Sequence, residues 1–234
     1  MKVIVTNSYD ETCAVIANMI KELVNAKPDA KLGLATGGTP VPIYKKLIEM
    51  NKAGEVDFSR VHTVNLDEYC GIPGTHDQSY RYFMDTNLFD HINIDKKNTF
   101  VASGMGDFEA NARELEEKVR EGGAADLQLL GIGHNGHIGF NEPCESFPAA
   151  VHPVELTEST IQANSRLFDR VEDVPTRAIT MGIGTILKAR RILLIAGADK
   201  REIVEKALTG PVTPWVPASV LQLHRDVTVI TCGE

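Results

Sequence analysis

The sequence lacks paired cysteines, long apolar segments and an excess of positive charge. Its four cysteines are scattered without CxxC spacing, which argues against a zinc ribbon and fits reduced thiols in a reducing compartment. No apolar run approaches the roughly 20 residues that a membrane helix needs. The first apolar residues are too few for a signal peptide before Asp10 and Glu11. We therefore expect a cytoplasmic protein without a membrane partner.

The charge balance restricts the ligands that the protein can attract. The formal net charge is −8 at pH 7, and an acidic chain has no electrostatic footprint for nucleic acid. A phosphorylated small molecule would have to be held by a few local cations and by backbone amides. The chain has 234 residues, of which 43% are hydrophobic and 24% charged, and we expect one domain spanning residues 1–234.

Predicted strands alternate with predicted helices along most of the chain. Strands are expected at residues 2–6, 31–35, 61–66, 126–131, 177–181, 191–196 and 227–232, and helical patterns at 10–25, 43–50, 79–91 and 105–122. The alternation predicts a mostly parallel α/β sheet, covered by helices on both faces, with the site along one edge and residues 227–232 closing the sheet. The charges of 105–122 are expected to face solvent. Residues 145–173 are the least regular, and we expect a lid there.

A glycine-rich turn connects the second predicted strand to a predicted helix. It reads Thr36, Gly37, Gly38, Thr39 and Pro40. Backbone N–H groups and threonine hydroxyls at a helix N-terminus can bind an anion, and the helix dipole favours negative charge there. A nucleotide site is disfavoured because neither Gly-Lys-Ser/Thr nor GxGxxG is present. The alternative is a proline-started helix with a threonine cap.

Residues 131–143 have the composition of an active site. They follow a predicted buried strand and contain four glycines, two histidines, an amide and a carboxylate. Glycine admits close backbone approach, while His and Glu can move protons near neutral pH. One alternative is a tight loop with a capping histidine. Another is a metal site on His134 and His137, for which no third ligand has suitable spacing.

Two carboxylates, Asp67 and Glu68, directly follow the third predicted strand. The carboxyl end of a strand is where open α/β sheets bind ligands. Together with the glycine turn and the histidine motif, these carboxylates indicate a sugar-phosphate enzyme that uses acid/base chemistry without a metal.

Five segments together resemble the glucosamine-6-phosphate deaminase family, and the resemblance spans essentially the whole chain. They are residues 34–40 (LATGGTP), 65–69 (NLDEY), 131–143 (GIGHNGHIGFNEP), 163–166 (ANSR) and 221–224 (LQLH). The resemblance implies a Rossmann-like fold. It also implies conversion of glucosamine 6-phosphate and water to fructose 6-phosphate and ammonia, in amino sugar catabolism, with no metal or organic cofactor.

The resemblance further implies roles for individual residues. His137 would open the sugar ring by taking the O1 proton, Glu142 would orient His137, and Asp67 would move the C2 proton to C1. Members of the family often have aspartate where this chain has Asn135. An amide can hydrogen-bond but cannot stabilise an imidazolium by charge, so we expect Asn135 to be an orienting group.

By the same resemblance, residues 36–39, Arg166 and Lys200 would bind the phosphate group of the substrate. Arginine can bind phosphate through two parallel hydrogen bonds, and lysine adds a point charge. Taken without the resemblance, Arg166 reads as a solvated helix residue and Lys200 as a surface charge at a helix start.

Other members of the family are hexamers activated by N-acetylglucosamine 6-phosphate, which a cationic pair helps to bind. At the corresponding positions this chain has His152 and Val154, and Glu145 replaces a small hydroxyl residue. A carboxylate there would repel the activator's phosphate. We therefore expect a monomer without an allosteric activator.

Two other functions are also consistent with the sequence. A 6-phosphogluconolactonase would share the glycine turn and a Gly-His element, but residues 67–69 and 140–143 count against it. A sugar-phosphate sensor that binds without turnover would normally carry a basic DNA-binding segment. It would also have little reason to keep Asp67, His137 and Glu142 together.

Overall fold

A computed structural model describes residues 1–165, 168 and 170–233, without the side chains of residues 159 and 163. The strands are Lys2–Thr6 (β1), Lys31–Leu34 (β2), His62–Asn65 (β3), Asp67–Tyr69 (β4), Thr99–Phe100 (β5), Leu127–Gly131 (β6), His152–Glu155 (β7), Arg177–Thr180 (β8), Ile192–Ala196 (β9) and Val227–Cys232 (β10). The α-helices are Tyr9–Ala26 (α1), Val41–Lys52 (α2), Tyr80–Asn87 (α3), Phe108–Arg120 (α4), Glu158–Ser165 (α5), Ile183–Ile186 (α6) and Arg201–Thr209 (α7). Short 3₁₀ helices cover Phe89–His91, Lys96–Asn98, Val171–Asp173, Ala198–Lys200 and Pro217–Leu223.

Seven strands form the main sheet in the order β1-β10-β9-β6-β2-β3-β5. Every neighbouring pair in it is parallel, which confirms the predicted α/β class. The central strand is β6, and the histidine motif follows it directly. β10 was expected to close the sheet, but it lies inside, between β1 and β9; β1 and β5 are the edge strands.

A second, antiparallel sheet has the order β4-β8-β7. Residues 177–181 were expected in the main sheet, which is wrong. Asp67 follows the third strand as expected, but it begins a strand of the second sheet. At Leu66 the backbone stops hydrogen-bonding with the main sheet and begins hydrogen-bonding with the second sheet. Its N–H donates to the carbonyl of Leu34 in β2 at 3.1 Å, while its carbonyl accepts from the N–H of Met181 at 2.8 Å. Asp67 therefore enters a different sheet.

Apolar side chains cover both faces of the main sheet, as the strand alternation requires. Leu193 and Ile195 of β9 belong to a buried cluster with α1, α2 and α3. Ile192 and Leu194, one residue out of phase, belong to a second cluster with α4, α6 and α7. The two clusters place three of these helices on each face.

Side-chain caps define where helices begin. Ser8 accepts a hydrogen bond from the N–H of Glu11 at 3.2 Å at the start of α1, and Asp107 accepts one from Ala110 at 3.1 Å at the start of α4. Each cap satisfies an amide that has no partner inside its helix. None of the helices in the described residues is both long and apolar enough to cross a membrane.

Residues 145–173 contain β7, a strand that was not expected, and α5, where a polar helical piece was expected around residues 157–166. Glu116 of α4 anchors the chain just before β7. It accepts hydrogen bonds from the N–H of Val151 at 3.0 Å and the hydroxyl of Thr185 at 2.6 Å, and it pairs with Lys188 at 2.9 Å. Its side chain is only 12% exposed, so this charge of α4 joins three parts of the fold.

Candidate active site

A cavity of about 720 Å³ lies at the carboxyl ends of β2, β6 and β9 and beside β4. Most of the predicted site residues contribute to its wall: Thr36, Gly37, Thr39, Asp67, Asn135, His137, Glu142 and Lys200. Gly38 is exposed and is not part of this wall. Arg166 lies outside the described residues. The structure thus brings residues from four separate segments to one cavity.

The glycine turn is held from two sides by tyrosines. The hydroxyl of Tyr9 donates to the carbonyl of Thr39 at 2.8 Å, and that of Tyr44 donates to the carbonyl of Ala35 at 2.5 Å. Within residues 36–44, all of which are described, no side chain caps the start of α2. The first-turn amides of α2 are therefore available to an anion, and the threonine-cap alternative is not what the structure has.

Lys200 is a cationic residue in the cavity wall, together with the glycine turn. It lies at the end of the short 3₁₀ helix after β9. Burial lowers the pKa of its ammonium group, and the neighbouring carboxylate of Asp199 opposes this effect. An incoming phosphate would favour the charged lysine in the same way.

Asn135 lies between His137 and Glu142. Its Nδ2 donates to Oε2 of Glu142 at 2.5 Å. Its Oδ1 accepts the backbone N–H of His137 at 3.1 Å and lies 2.8 Å from Nδ1 of the same ring. Oε1 of Glu142 is 3.5 Å from that Nδ1. One amide thus contacts both partners of the expected ring-opening pair.

These contacts assign the histidine tautomer by elimination. An ionised Glu142 can only accept hydrogen bonds, so the amide NH₂ of Asn135 must point toward it. The amide oxygen then faces His137, and Nδ1 must carry the proton. Nε2 of His137 is left with a free lone pair, which is the form that a general base requires.

Glu142 is held as a carboxylate. Burial raises its pKa, but the hydrogen bond and charge of His137, followed by hydrogen bonds from Thr160 and Asn135, lower the pKa to about 2 overall. The hydroxyl of Thr160 in α5 donates to Oε1 at 2.8 Å. Glu142 therefore stays negative throughout the neutral range, next to the ring of His137.

Two glycines make room for this arrangement. A Cβ on Gly133 would lie 2.1 Å from Cε1 of His137, so any side chain there would displace the ring. Gly139 has φ +58° and a Cβ on it would lie 2.9 Å from Oγ1 of Thr180 and 3.7 Å from Oδ2 of Asp67. Close packing around the acid/base groups therefore explains Gly133 and Gly139.

Asp67 has the environment expected of a general base. Its residue is 7% exposed, and within the described part of the chain no protein group donates a hydrogen bond to its carboxylate. Burial, with a smaller contribution from the charge of Glu68, raises the pKa of Asp67 to about 8. Such a shift in a cavity is typical of functional carboxyl groups.

Glu68 points to a different set of partners. Its carboxylate accepts the N–H of Tyr69 in β4 at 2.8 Å. It also accepts the N–H groups of Tyr80 at 2.8 Å and Arg81 at 2.9 Å, at the start of α3. Burial raises its pKa to about 7, and these three backbone hydrogen bonds limit the rise. Glu68 therefore positions α3 and repels charge on Asp67.

Tyr80, Thr160 and Asn164 also line the cavity, and none of them was among the predicted site residues. Thr160 and Asn164 are four residues apart in α5, a spacing that puts them on one helix face. That spacing, which runs from just before the 163–166 motif into it, is a signal that could have identified them. Tyr80 follows the capping Ser79 of α3, and nothing in its local sequence marks it.

The metal alternative finds no support in the geometry. His134 is 73% exposed, and its Nε2 faces Oδ2 of Asp199 at 3.6 Å. The described residues contain no group of three His, Cys, Asp or Glu side chains placed to hold a metal ion.

Comparisons with known proteins agree with this geometry. The family described as "Glucosamine-6-phosphate isomerases/6-phosphogluconolactonase" matches residues 6–230. A glucosamine-6-phosphate deaminase of Lachnoclostridium phytofermentans is 56% identical over 236 aligned positions, covering 100% of both chains. One of Clostridium perfringens is 53% identical, covering 98% of this chain and 96% of its own.

Solved structures give the same result. A monomeric glucosamine-6-phosphate deaminase superposes with a TM-score of 0.96 and 45% identity, covering 100% of this chain and 98% of that one. A 6-phosphogluconolactonase from Thermotoga maritima has a TM-score of 0.78 at 21% identity, covering 100% and 99%. The second likeness shows a shared fold.

Proposed function

Because the chain belongs to the glucosamine-6-phosphate isomerase/6-phosphogluconolactonase family, we propose that it is a glucosamine-6-phosphate deaminase. The observation that carries the proposal is the presence of two separate proton-moving groups in one cavity. One is His137, oriented by Asn135 and Glu142; the other is the buried carboxyl of Asp67. The reaction requires both, because ring opening and carbon-to-carbon proton transfer occur at different atoms.

Ring opening is the step for His137. Nε2 takes the proton from the O1 hydroxyl, and the ring oxygen is protonated as the C1–O5 bond breaks, which leaves an aldehyde at C1. The carboxylate of Glu142 stabilises the imidazolium that forms. Asn135 holds the ring in the tautomer whose Nε2 is free.

Proton transfer between carbons is the step for Asp67. Its carboxylate takes the C2 proton to give an enolamine, and the proton is returned at C1 to give a ketimine at C2. Water adds to the ketimine and ammonia leaves, giving fructose 6-phosphate. The electron pair freed at C2 moves to the C1 carbonyl oxygen, and the nitrogen lone pair forms the C2=N bond as C1 takes the proton, so the step uses groups of the substrate and the chain alone. A buried carboxyl can return the same proton when water is excluded.

The phosphate of the substrate is assigned to residues 36–39 and Lys200, with Arg166 as a further ligand. Support comes from the uncapped start of α2 and from Lys200 in the same wall. Residues 145–173 are proposed to act as the lid, because α5 contributes Thr160 and Asn164 to the cavity. We also propose that residues 1–234 form one domain.

The assembly is proposed to be a monomer in the cytoplasm, without an allosteric activator. A solved relative with 45% identity is monomeric. The exposed Glu145 disfavours a second phosphate site. The cysteines Cys13, Cys70, Cys144 and Cys232 are free thiols, which fits a reducing compartment.

A coupled assay for ammonia and fructose 6-phosphate tests the function. We expect both products from glucosamine 6-phosphate, in equal amounts, with chelator present and with a hyperbolic rate curve. Hydrolysis of 6-phosphogluconolactone without ammonia release would instead identify a lactonase. A sigmoidal curve that N-acetylglucosamine 6-phosphate makes hyperbolic, or a hexamer by light scattering, would overturn the monomer proposal alone.

A further inference from the structure

A hydrogen bond joins α5 to the ring-opening residues. The hydroxyl of Thr160 donates to Oε1 of Glu142 at 2.8 Å, across 18 residues of sequence. Oε1 is also the oxygen that faces Nδ1 of His137. The other oxygen, Oε2, is taken by Asn135. Thr160 therefore completes the set of donors that fixes both oxygens of this carboxylate.

The direction of the bond is fixed by its neighbours. Thr157, directly before α5, donates its hydroxyl proton to Oγ1 of Thr160 at 3.0 Å, and its own oxygen accepts the N–H of Thr160 at 3.3 Å. The single hydroxyl proton of Thr160 is then directed at Glu142, which can only accept. The contact therefore requires α5 to be in place.

Apolar contacts of the same segment are separate from this hydrogen bond. Ile161 and Phe168 pack against a cluster that contains Tyr69 and Phe140. They add to the attachment of the segment without using the Thr160 hydroxyl. Removal of the Thr160 hydroxyl is therefore expected to disturb Glu142 more than the position of α5.

We propose that Thr160 is a positioning residue for ring opening, which orients Glu142 and through it His137 only when α5 is seated over the cavity. The inference rests on the proposed deaminase function for its kinetic consequence. Its structural part, the link between α5 and Glu142, does not depend on which sugar phosphate is the substrate.

A double-mutant cycle tests the kinetic consequence. Thr160→Val removes the hydroxyl and keeps the shape, and we expect kcat to fall about tenfold with KM within about twofold. Thr160→Ser keeps the hydroxyl and is expected to retain wild-type kcat. In a Glu142→Ala background Thr160→Val should have no further effect, because its acceptor is gone.

The controls separate this role from packing. Thr209→Val in α7 removes a hydroxyl that bonds only the carbonyl of Glu205 among described residues, and it should leave kcat unchanged. Thr160→Ala repeats the deletion with a better helix former in case valine weakens α5. An equal loss in the Glu142→Ala background, or a Thr160→Ser variant as slow as Thr160→Val, would show that Thr160 only packs.

Amide hydrogen exchange in the ligand-free protein tests the link itself. We expect both Thr160→Val and Glu142→Ala to speed exchange across residues 161–165, and Thr209→Val to leave it unchanged. Unaltered exchange in the first two variants would overturn the proposed link. If the wild-type protein releases no ammonia from glucosamine 6-phosphate, the deaminase function fails, while the exchange result still decides whether α5 is tied to Glu142.

Discussion

Oδ1 of Asn135 lies 2.8 Å from Nδ1 of His137, and an amide can make this contact while its other end donates to a carboxylate. Two carboxylates could not share the same geometry without a proton between them, since like charges at about 3 Å cannot both ionise. The amide thus allows Glu142 to keep its full charge beside the ring.

Replacement of that amide by an acid changes the pH dependence. In Asn135→Asp, two carboxyl groups would face each other where Nδ2 now lies 2.5 Å from Oε2 of Glu142. One of them is expected to hold a proton near neutral pH, so kcat should fall by roughly tenfold and its pH profile should gain an ionisation. Asn18→Asp, at an exposed site of α1, is the control. A profile identical to that of the wild type would contradict the assigned amide orientation.

Asp67→Asn should abolish turnover and stabilise the fold at high pH. The folded pKa of Asp67 is about 8, whereas an unfolded aspartate titrates near about 3.9. Between these values the folded state binds more protons than the unfolded state, so wild-type stability falls as pH rises. The free energy of unfolding of the variant should therefore exceed that of the wild type by a growing margin, by at most roughly 1.4 kcal/mol per pH unit.

Urea unfolding at about pH 5 and about pH 8 measures this margin. Asp29→Asn, at an exposed turn, provides the matched control and should show no such growth. Exchange of the C2 proton with solvent should stop in Asp67→Asn while substrate still binds. Continued exchange would remove Asp67 from its assigned role.

The charge of Glu68 should set part of the activity profile. Asp67 must be ionised to act as a base, so kcat/KM is expected to rise with pH through about 8. Glu68→Gln removes the repulsive neighbour and should move this midpoint to lower pH. The midpoint should stay well above about 3.9, because burial is the larger cause of the shift.

The same measurement on Glu49→Gln, an exposed site of α2, controls for the change in net charge. A midpoint that Glu68→Gln leaves in place would mean that burial alone raises the pKa of Asp67.

Glu116→Gln should loosen the start of residues 145–173. The carboxylate accepts from Val151 and Thr185 and pairs with Lys188, and loss of charge-assisted hydrogen bonds costs roughly 1.5–3 kcal/mol. The pKa of Glu116 is lowered to about 2: burial raises it, but hydrogen bonds from Lys188, Thr185 and Val151 lower it more. Its stabilising effect is therefore present above the unfolded pKa and lost as pH falls toward about 2.

Thermal unfolding near neutral pH and in acid measures this effect. Glu117→Gln, one residue away on the exposed side of α4, should leave the melting temperature unchanged. An equal loss of stability from both variants would point to a general charge effect.

Local sequence patterns were sufficient for six of the seven strands of the main sheet, because each of the six is a short, mostly apolar run; the two-residue β5 was not predicted. They failed at β4, since Asp67 continues β3 without a break in sequence and only the partner of Leu66 changes. The prediction for β8 was wrong for a similar reason. Its buried residues have the same composition as a strand of the parallel sheet, and the direction of a strand cannot be read from its local sequence.

For the site as well, some residues could be predicted from local sequence and others could not. Residues within one motif, such as Asn135, His137 and Glu142, could be grouped from the sequence alone. Thr160 and Glu116 could not, because their partners are distant in sequence and a threonine or glutamate on a helix is most often solvated. The charge pattern of α4 gave no indication that Glu116 faces inward.

The position of β1 has a consequence for synthesis of the protein. In the sheet described above its one neighbour is β10, with Lys2 beside Thr228 and Thr6 beside Cys232. β1 thus cannot pair within this sheet until residues 227–232 have been synthesised. Such distant pairing slows folding and leaves strand edges open meanwhile. A nascent chain stalled before residue 227 should therefore bind chaperones until release supplies the missing strand.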